Sequence, residues 1–211
     1  MQAKSRSDKQ ERTVTETARR AQIVDAAIEV VAEHGYSNAS FARIAKQAGL
    51  SSTGMISYHF RGKQDLIREI IGEIMRVALT FVSDRLGEES DYRGRLRAHF
   101  AANLALLDEY PTHMRALSSI LTHSDPGDRE QFGLAEQLAE FARVQEDRIR
   151  EAQRAGVFRE FDPAIMVMAM RGALDAAIAR AASDPEFDTA ACARELADLF
   201  DRATRSTGAE S

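Results

Sequence analysis

Apolar positions recur at three- and four-residue spacing along almost the whole chain. Ile23, Ala26, Ala27, Val30 and Val31 share one face of a first helix. Gly35, after His34, supplies its left-handed stop. Ser40 precedes Phe41, Ile44 and Ala45, a short second helix with a serine cap. A turn at 48–52 leads to a third short helix over 53–59, with Ser51 or Ser52 as its cap. Lys63 opens a longer fourth helix carrying Leu66, Ile70, Ile74, Val77 and Phe81. Beyond Gly87 the spacing predicts helices over Tyr92–Glu109, from Pro111 to the Pro126-Gly127 break, and from Arg129 to Arg154. Asp162-Pro163 starts another that runs to about Ser183, and Asp188 caps the last. No stretch keeps strand alternation between turn dipeptides. The pattern therefore predicts an all-α chain of about nine helices.

Composition narrows the class. The 211 residues are 44% hydrophobic and 29% charged, enough to bury a core and stay soluble. The lone cysteine, Cys192, excludes an intrachain disulfide framework or a cysteine zinc site, and it fits a reducing, cytoplasmic setting. The longest apolar run, Ala164–Met170, ends at Arg171, far short of the ~20 residues that span a bilayer. The opening MQAKSRSDKQER has no apolar signal core. A secreted disulfide scaffold, a membrane protein and a disordered chain are thus set aside. Charge is asymmetric: residues 1–85 hold 13 Lys/Arg against 10 Asp/Glu, and residues 86–211 hold 15 against 23. A basic end on an acidic chain points to a localised polyanion contact.

Ser40 to Lys63 carries the most specific signal. Two short helices joined by a glycine turn make a helix-turn-helix. The second helix of such a pair fits the major groove of B-DNA. Ile44, Ala45 and Leu50 hold the pair at an angle. The reading helix then presents Thr53, Ser57, Tyr58 and His59, which offer short donors, acceptors and aromatic edges. Lys63 places a cation at a helix start, where a phosphate oxygen is favoured.

These residues resemble the tetracycline-repressor (TetR) family of bacterial transcription regulators. The matching pieces are AEHGY at the end of the first helix, FARIAKQAGLS, and ISYHFRGKQDLI, within residues 19 to about 70. Two departures stand out. Ser57 occupies the first aromatic position of the family's reading-helix block, and the Ser51-Ser52 turn is one residue longer than usual. The resemblance implies a three-helix DNA-binding domain over 18–64, behind a basic, disordered arm at 1–17. A helical regulatory and dimerisation domain follows over 65–205, with a disordered tail at 206–211. It implies DNA contacts from Ser40, Ser52, Thr53, Gly54, Ser57, Tyr58, His59 and Lys63, with Ile56 and Phe60 in the core. Arg12, Arg19 and Arg20 lie ahead of the first helix, in position to reach a minor groove.

The resemblance further implies a homodimer on a palindromic operator. Its last two long helices would pair across a two-fold axis through Gly172, Ala176, Leu196, Leu199, Phe200 and Ala203. It also implies a small-molecule pocket among the middle helices. The candidate lining is Phe100, Asn103, Leu107, Met114, Leu117, Leu121, Phe141, Gln145, Met166 and Met170, apolar walls with few polar groups. Arg148, Arg150, Arg154 and Arg159 interleave with acids and read as a solvated face. His99, His113 and His123 show no close ligand spacing, so no metal is expected. Residues 86–211 contain no nucleophile elbow and no phosphate-binding glycine loop. The reading is a repressor released from DNA by a small molecule, with no catalytic residue and no cofactor. The alternatives are a ligand-independent dimeric regulator and an enzyme with an appended helix-turn-helix.

Overall fold

The computed structural model describes the backbone of residues 2–206, and the side chains of residues 15–206 except Pro126, Arg129 and Gln131. The described residues form ten helices and no sheet. They are α1 (Gln2–His34), α2 (Phe41–Gln47), α3 (Gly54–His59), α4 (Lys63–Gly87), α5 (Tyr92–Glu109), α6 (Pro111–His123), α7 (Pro126–Gln131), α8 (Leu134–Arg154), α9 (Pro163–Ser183) and α10 (Thr189–Thr204). The all-α expectation holds. The added helix comes from a break in the stretch expected to run unbroken from Arg129 to Arg154. Gly133 adopts φ 69°, which ends α7 and lets Phe132 turn into a buried position. At the other end α1 is continuous from Gln2, through the stretch expected to be an arm. It meets no glycine or proline before Gly35. Residues 207–211 of the expected tail lie outside the described residues.

The caps follow local chemistry. Ser40 Oγ accepts the Arg43 N–H at 3.3 Å, Asp91 accepts the Gly94 N–H at 2.7 Å, and Asp188 accepts the Ala191 N–H at 2.8 Å. Asp162 Oδ1 accepts the Ala164 and Ile165 N–H groups at 2.8 and 3.4 Å, with Pro163 at the first helical position. Gly35 takes φ 81° where α1 ends.

The chain divides into two compact units, residues 1–75 with 112–134, and residues 76–111 with 135–211. The division falls inside α4 and places α6 and α7 in the first unit, unlike the expected boundary after residue 64. The first unit buries Ile23, Ala27 and Val31 of α1, Ile44 of α2, Ile56 of α3, and Leu66, Ile67, Ile70 and Ile71 of α4. Ser119 of α6 accepts the Tyr36 N–H at 2.9 Å, and Gln64 donates to Asp128 at 2.7 Å. In the second unit one buried cluster joins Leu96, Phe100 and Leu104 of α5, Met170, Leu174 and Ala177 of α9, and Ala193 and Ala197 of α10. A smaller one joins Ile149 and Ala152 of α8 to Phe158. Arg159 donates its backbone N–H to Thr204 O at 2.9 Å and its Nε to Ala203 O at 2.8 Å. That ties the loop after α8 to the end of α10, so Arg159, exposed as its sequence neighbours suggested, is also a structural link.

Candidate functional site

The α2–α3 corner is built by the turn at 48–53. Gly49 takes φ 65°, its N–H donates to Lys46 O at 3.2 Å, and the Leu50 N–H donates to Ala45 O at 2.8 Å. These bonds satisfy the last carbonyls of α2 and turn the chain sharply. Thr53 occupies the cap position of α3, and its carbonyl accepts the Ile56 and Ser57 N–H groups at 3.0 and 3.1 Å. Neither Ser51 nor Ser52 caps α3, which corrects the sequence expectation. The longer turn moves the helix start to Gly54. Thr53 itself has helical backbone angles, φ −69° and ψ −15°, and makes no side-chain cap bond, since capping oxygens act from extended residues.

Buried Ile56 and Phe60 fix α3 by one side. The other side presents Thr53, Gly54, Ser57 and Tyr58, all exposed, beside exposed Ser52. Tyr58 is 72% exposed, donates to Glu16 Oε1 at 3.3 Å, and meets the His59 ring edge-on at 5.1 Å. His59 is half-buried, and Ser40 is exposed at the start of α2. The eight residues expected at DNA therefore all lie in the first unit on or beside this corner. Arg43 and Lys46 on α2, and Arg61 in the link between α3 and α4, are exposed cations that the sequence pattern did not single out.

Two cations act inside the protein. Lys63 is half-buried, its Nζ donates to Tyr36 O at 2.8 Å, and it lies 4.3 Å from the centre of the Tyr36 ring. Burial lowers its pKa. Its ammonium is thus committed at least in part to the chain. Arg20 donates to His59 O at 2.7 Å, stacks 4.5 Å from the centre of the Phe60 ring, and pairs with Glu69 at 2.7 Å. It clamps α1 to the end of α3 and to α4, a role the sequence hints at only through its place one turn ahead of Ile23. Arg19 donates to Gln22 at 2.7 Å, and the side chain of Arg12 lies outside the described residues.

Two small, partly open cavities of the second unit meet around His99, and an open groove of about 690 Å³ runs along α5 and α10 between Glu89 and Asp198. One cavity of about 90 Å³ is lined by Asn103, Phe141, Gln145 and Met170 of the expected set, together with His99, Leu138, Val167, Arg171 and Leu174. The other, about 50 Å³, is lined by Gln145, Met166 and Met170 with Arg95, His99, Arg148, Ile149 and Phe158. Phe100 lines neither. It is fully buried and stacks on Phe200 at 5.1 Å. Leu107 packs against the same core cluster. Met114, Leu117 and Leu121 also line neither cavity, because α6 belongs to the first unit.

His99 is the residue the sequence reading set aside. It is 6% exposed, lies 3.4 Å from Gln145 Nε2 through its Nδ1, and stacks on Phe141. Burial, then the charges of Arg171 and Arg148, push its pKa down to about 4. It is therefore neutral at pH 7. Arg148, read from sequence as part of a solvated face, is half-buried at a cavity wall. Cys192 is half-buried against the core cluster, and burial pushes its thiol pKa up.

On α9 and α10, Gly172, Ala176 and Leu199 are exposed, and Ile165 and Met168 join them at 57% and 64%. Positions 165, 168, 169, 172 and 176 share one helical face, so α9 presents an apolar stripe to solvent. Leu196, Phe200 and Ala203 are half-buried, the first two against their own core. Among the described residues no group of His, Cys, Asp and Glu is arranged to hold a metal ion, and no helix is long and apolar enough to cross a membrane.

Comparison with known proteins gives these features a context. Residues 23–70 match the family described as bacterial regulatory proteins, tetR family. The chain is 33% identical over 86 residues to the fatty acid metabolism regulator protein of Bacillus subtilis (strain 168), a stretch covering 41% of this chain and 44% of that relative's length. Two solved structures share the fold over nearly the whole chain. The transcriptional regulator FadR from Bacillus subtilis, in complex with stearoyl-CoA, superposes with a TM-score of 0.75 at 24% identity, covering 85% of this chain and 96% of that one. A regulator from Saccharomonospora viridis in complex with choline gives a TM-score of 0.76 at 21% identity, covering 90% and 98%.

Proposed function

We propose that the chain, whose residues 23–70 match the family of bacterial regulatory proteins, tetR family, is a TetR-type, sequence-specific DNA-binding transcription regulator. The observation that carries this is the exposed face of α3. Ile56 and Phe60 anchor the helix from one side, and Ser57 and Tyr58 stand on the other with no core to fill. Thr53, Ser57 and Tyr58 reach base edges in this reading. Ser40, Ser52, Gly54 and His59 stay close to the phosphates, and exposed Arg43, Lys46 and Arg61 supply charge.

The finer reading is a cytoplasmic homodimeric repressor released from a palindromic operator by a small molecule in the second unit. The exposed stripe of α9, with Leu199 of α10, supports the dimer. Two copies of α3 then address half-sites about one DNA turn, roughly 34–36 Å, apart. The cavities around His99 support a ligand. Two solved structures of similar fold, one in complex with stearoyl-CoA and one in complex with choline, support that reading. One observation favours a ligand-independent regulator instead. At about 50 and 90 Å³ the two cavities around His99 are each far below the ~300 Å³ at which drug-sized sites begin, and the larger groove along α5 and α10 is open to solvent.

The test is an anisotropy titration against DNA from upstream of the protein's own gene, at two salt concentrations, with random DNA as control. Specific binding exceeds the control at both salts. Binding no tighter than random DNA at either salt, repeated with fragments selected from the whole genome, refutes sequence-specific recognition.

A further inference from the structure

The two small cavities around His99 share three wall residues, His99, Gln145 and Met170. We propose that they are the two lobes of one elongated site, closed in the middle by those side chains, and that its ligand is an amphiphilic anion with a long apolar body and its head at Arg95 and Arg148. This rests on the ligand-responsive reading above and deepens it.

The partition is built to part. Gln145 Nε2 approaches His99 Nδ1 at 3.4 Å, near the outer limit of a hydrogen bond. Met170 is unbranched and repacks readily. Neither lobe alone holds an organic ligand, but a chain threaded past the partition reaches both. Leu96, Ile149 and Phe158 line one lobe, and Leu138, Phe141 and Leu174 line the other. Such walls suit an extended hydrocarbon. His99 and Gln145 are both nine-tenths buried, so the polar part of the site lies inside the unit rather than on its surface.

The charge at the walls sets the sign of the head. Arg95 and Arg148 line the smaller lobe and Arg171 the larger, and neither lining includes Asp or Glu among the described residues. Arg171 is paired with Asp175 at 2.8 Å outside the cavity, and its neighbour across the partition, His99, is neutral. Arg95 uses its Nε on Glu89 O at 3.1 Å, an uncharged partner. Arg148 stands close enough to His99 for its charge to act on that ring. Half-buried guanidinium groups at an apolar cavity favour a carboxylate or phosphate, which they bind with two parallel bonds. A quaternary ammonium head meets like charge there and no carboxylate among the described lining residues.

The experiment uses four probes with one twelve-carbon tail: dodecanoate, dodecyl phosphate, dodecanol and dodecyltrimethylammonium. Each is titrated into the full chain by calorimetry, without DNA and below aggregating concentrations. One or both anions are expected to bind at least tenfold more tightly than the alcohol, and the cation not at all. The two anions distinguish a carboxylate head from a phosphate head. Arg95→Gln and Arg148→Gln, made singly and checked for helicity by circular dichroism, each reduce anion affinity toward that of dodecanol. Hexanoate binds at least tenfold more weakly than dodecanoate if both lobes are used. Equal binding of all four heads, preference for the cation, no binding, or anion affinity untouched in both folded variants overturns the proposal. DNA release is read separately. Dodecanoate that binds and leaves the DNA complex intact refutes ligand-released repression but not this site. Release driven by a cationic molecule does the reverse.

Discussion

Lowering the pH should weaken the second unit through one side chain. His99 is buried against Phe100, Phe141 and Gln145, and the charges that act on it are those of Arg171 and Arg148. Its pKa in the folded chain is about 4, against an ordinary 6.5. Between those values the unfolded chain binds the proton and the folded chain does not, so stability rises with pH across that window and falls as pH drops through it. At about 1.4 kcal/mol per pH unit, the full loss is about 3 kcal/mol, reached below pH 4. Going from pH 7 to pH 5 removes about 2 kcal/mol of it, equivalent to roughly 4–8 °C in melting temperature for a chain of this size. His99→Gln keeps a hydrogen-bond acceptor for Gln145 and cannot titrate. Urea unfolding followed at 222 nm, at pH 7, 6 and 5, measures both proteins. The expected result is that the wild type loses about 2 kcal/mol more than His99→Gln over this range. If unfolding has two transitions, the difference belongs to that of the second unit. Parallel pH dependence in the two proteins refutes the reasoning, whatever the variant costs at pH 7.

Three further outcomes follow from the geometry. Arg20→Ala removes the bond to His59 O and the stack on Phe60, and is expected to cost about 2 kcal/mol of stability and to weaken DNA binding. Arg20→Lys keeps the exposed ion pair but not the planar fork, and full recovery in urea melts would sink the clamp. Lys63→Met is expected to lower stability by about 1 kcal/mol through the lost bond to Tyr36 O. A drop of about 1 in the salt slope of DNA binding would add a phosphate contact to that role, and unchanged melting would remove the structural one. Gly172→Glu meets nothing within 4 Å of its Cβ in the chain itself, so the variant should fold, sediment as a monomer and bind the operator weakly. A Gly172→Glu dimer would exclude this face of α9 as the interface.

The helices themselves were legible in the amino-acid order because their signals are local. Ser40, Asp162-Pro163 and Asp188 cap, Gly35 and Gly49 stop, and apolar spacing gives each helix its buried face. The helix-turn-helix was legible for the same reason, since Ile44, Gly49, Ile56 and Phe60 act within 17 residues of one another. Where a bond spans a longer loop, the order was silent. Arg20 and His59 lie 39 residues apart, and Tyr36 and Ser119 lie 83 apart. Composition alone made His99 an unremarkable helix residue and Arg148 a surface one. Only the packing of α5, α8 and α9 buried the first as a neutral ring and drew the second to a cavity wall. The same packing left Met114, Leu117 and Leu121 outside, because hydrophobic spacing specifies which face of a helix is buried and not which neighbour buries it. Local hydrogen bonds and periodicity thus determined the elements and the reading corner. Long-range burial, with the desolvation and charge it brings, decided the chemistry of the cavities.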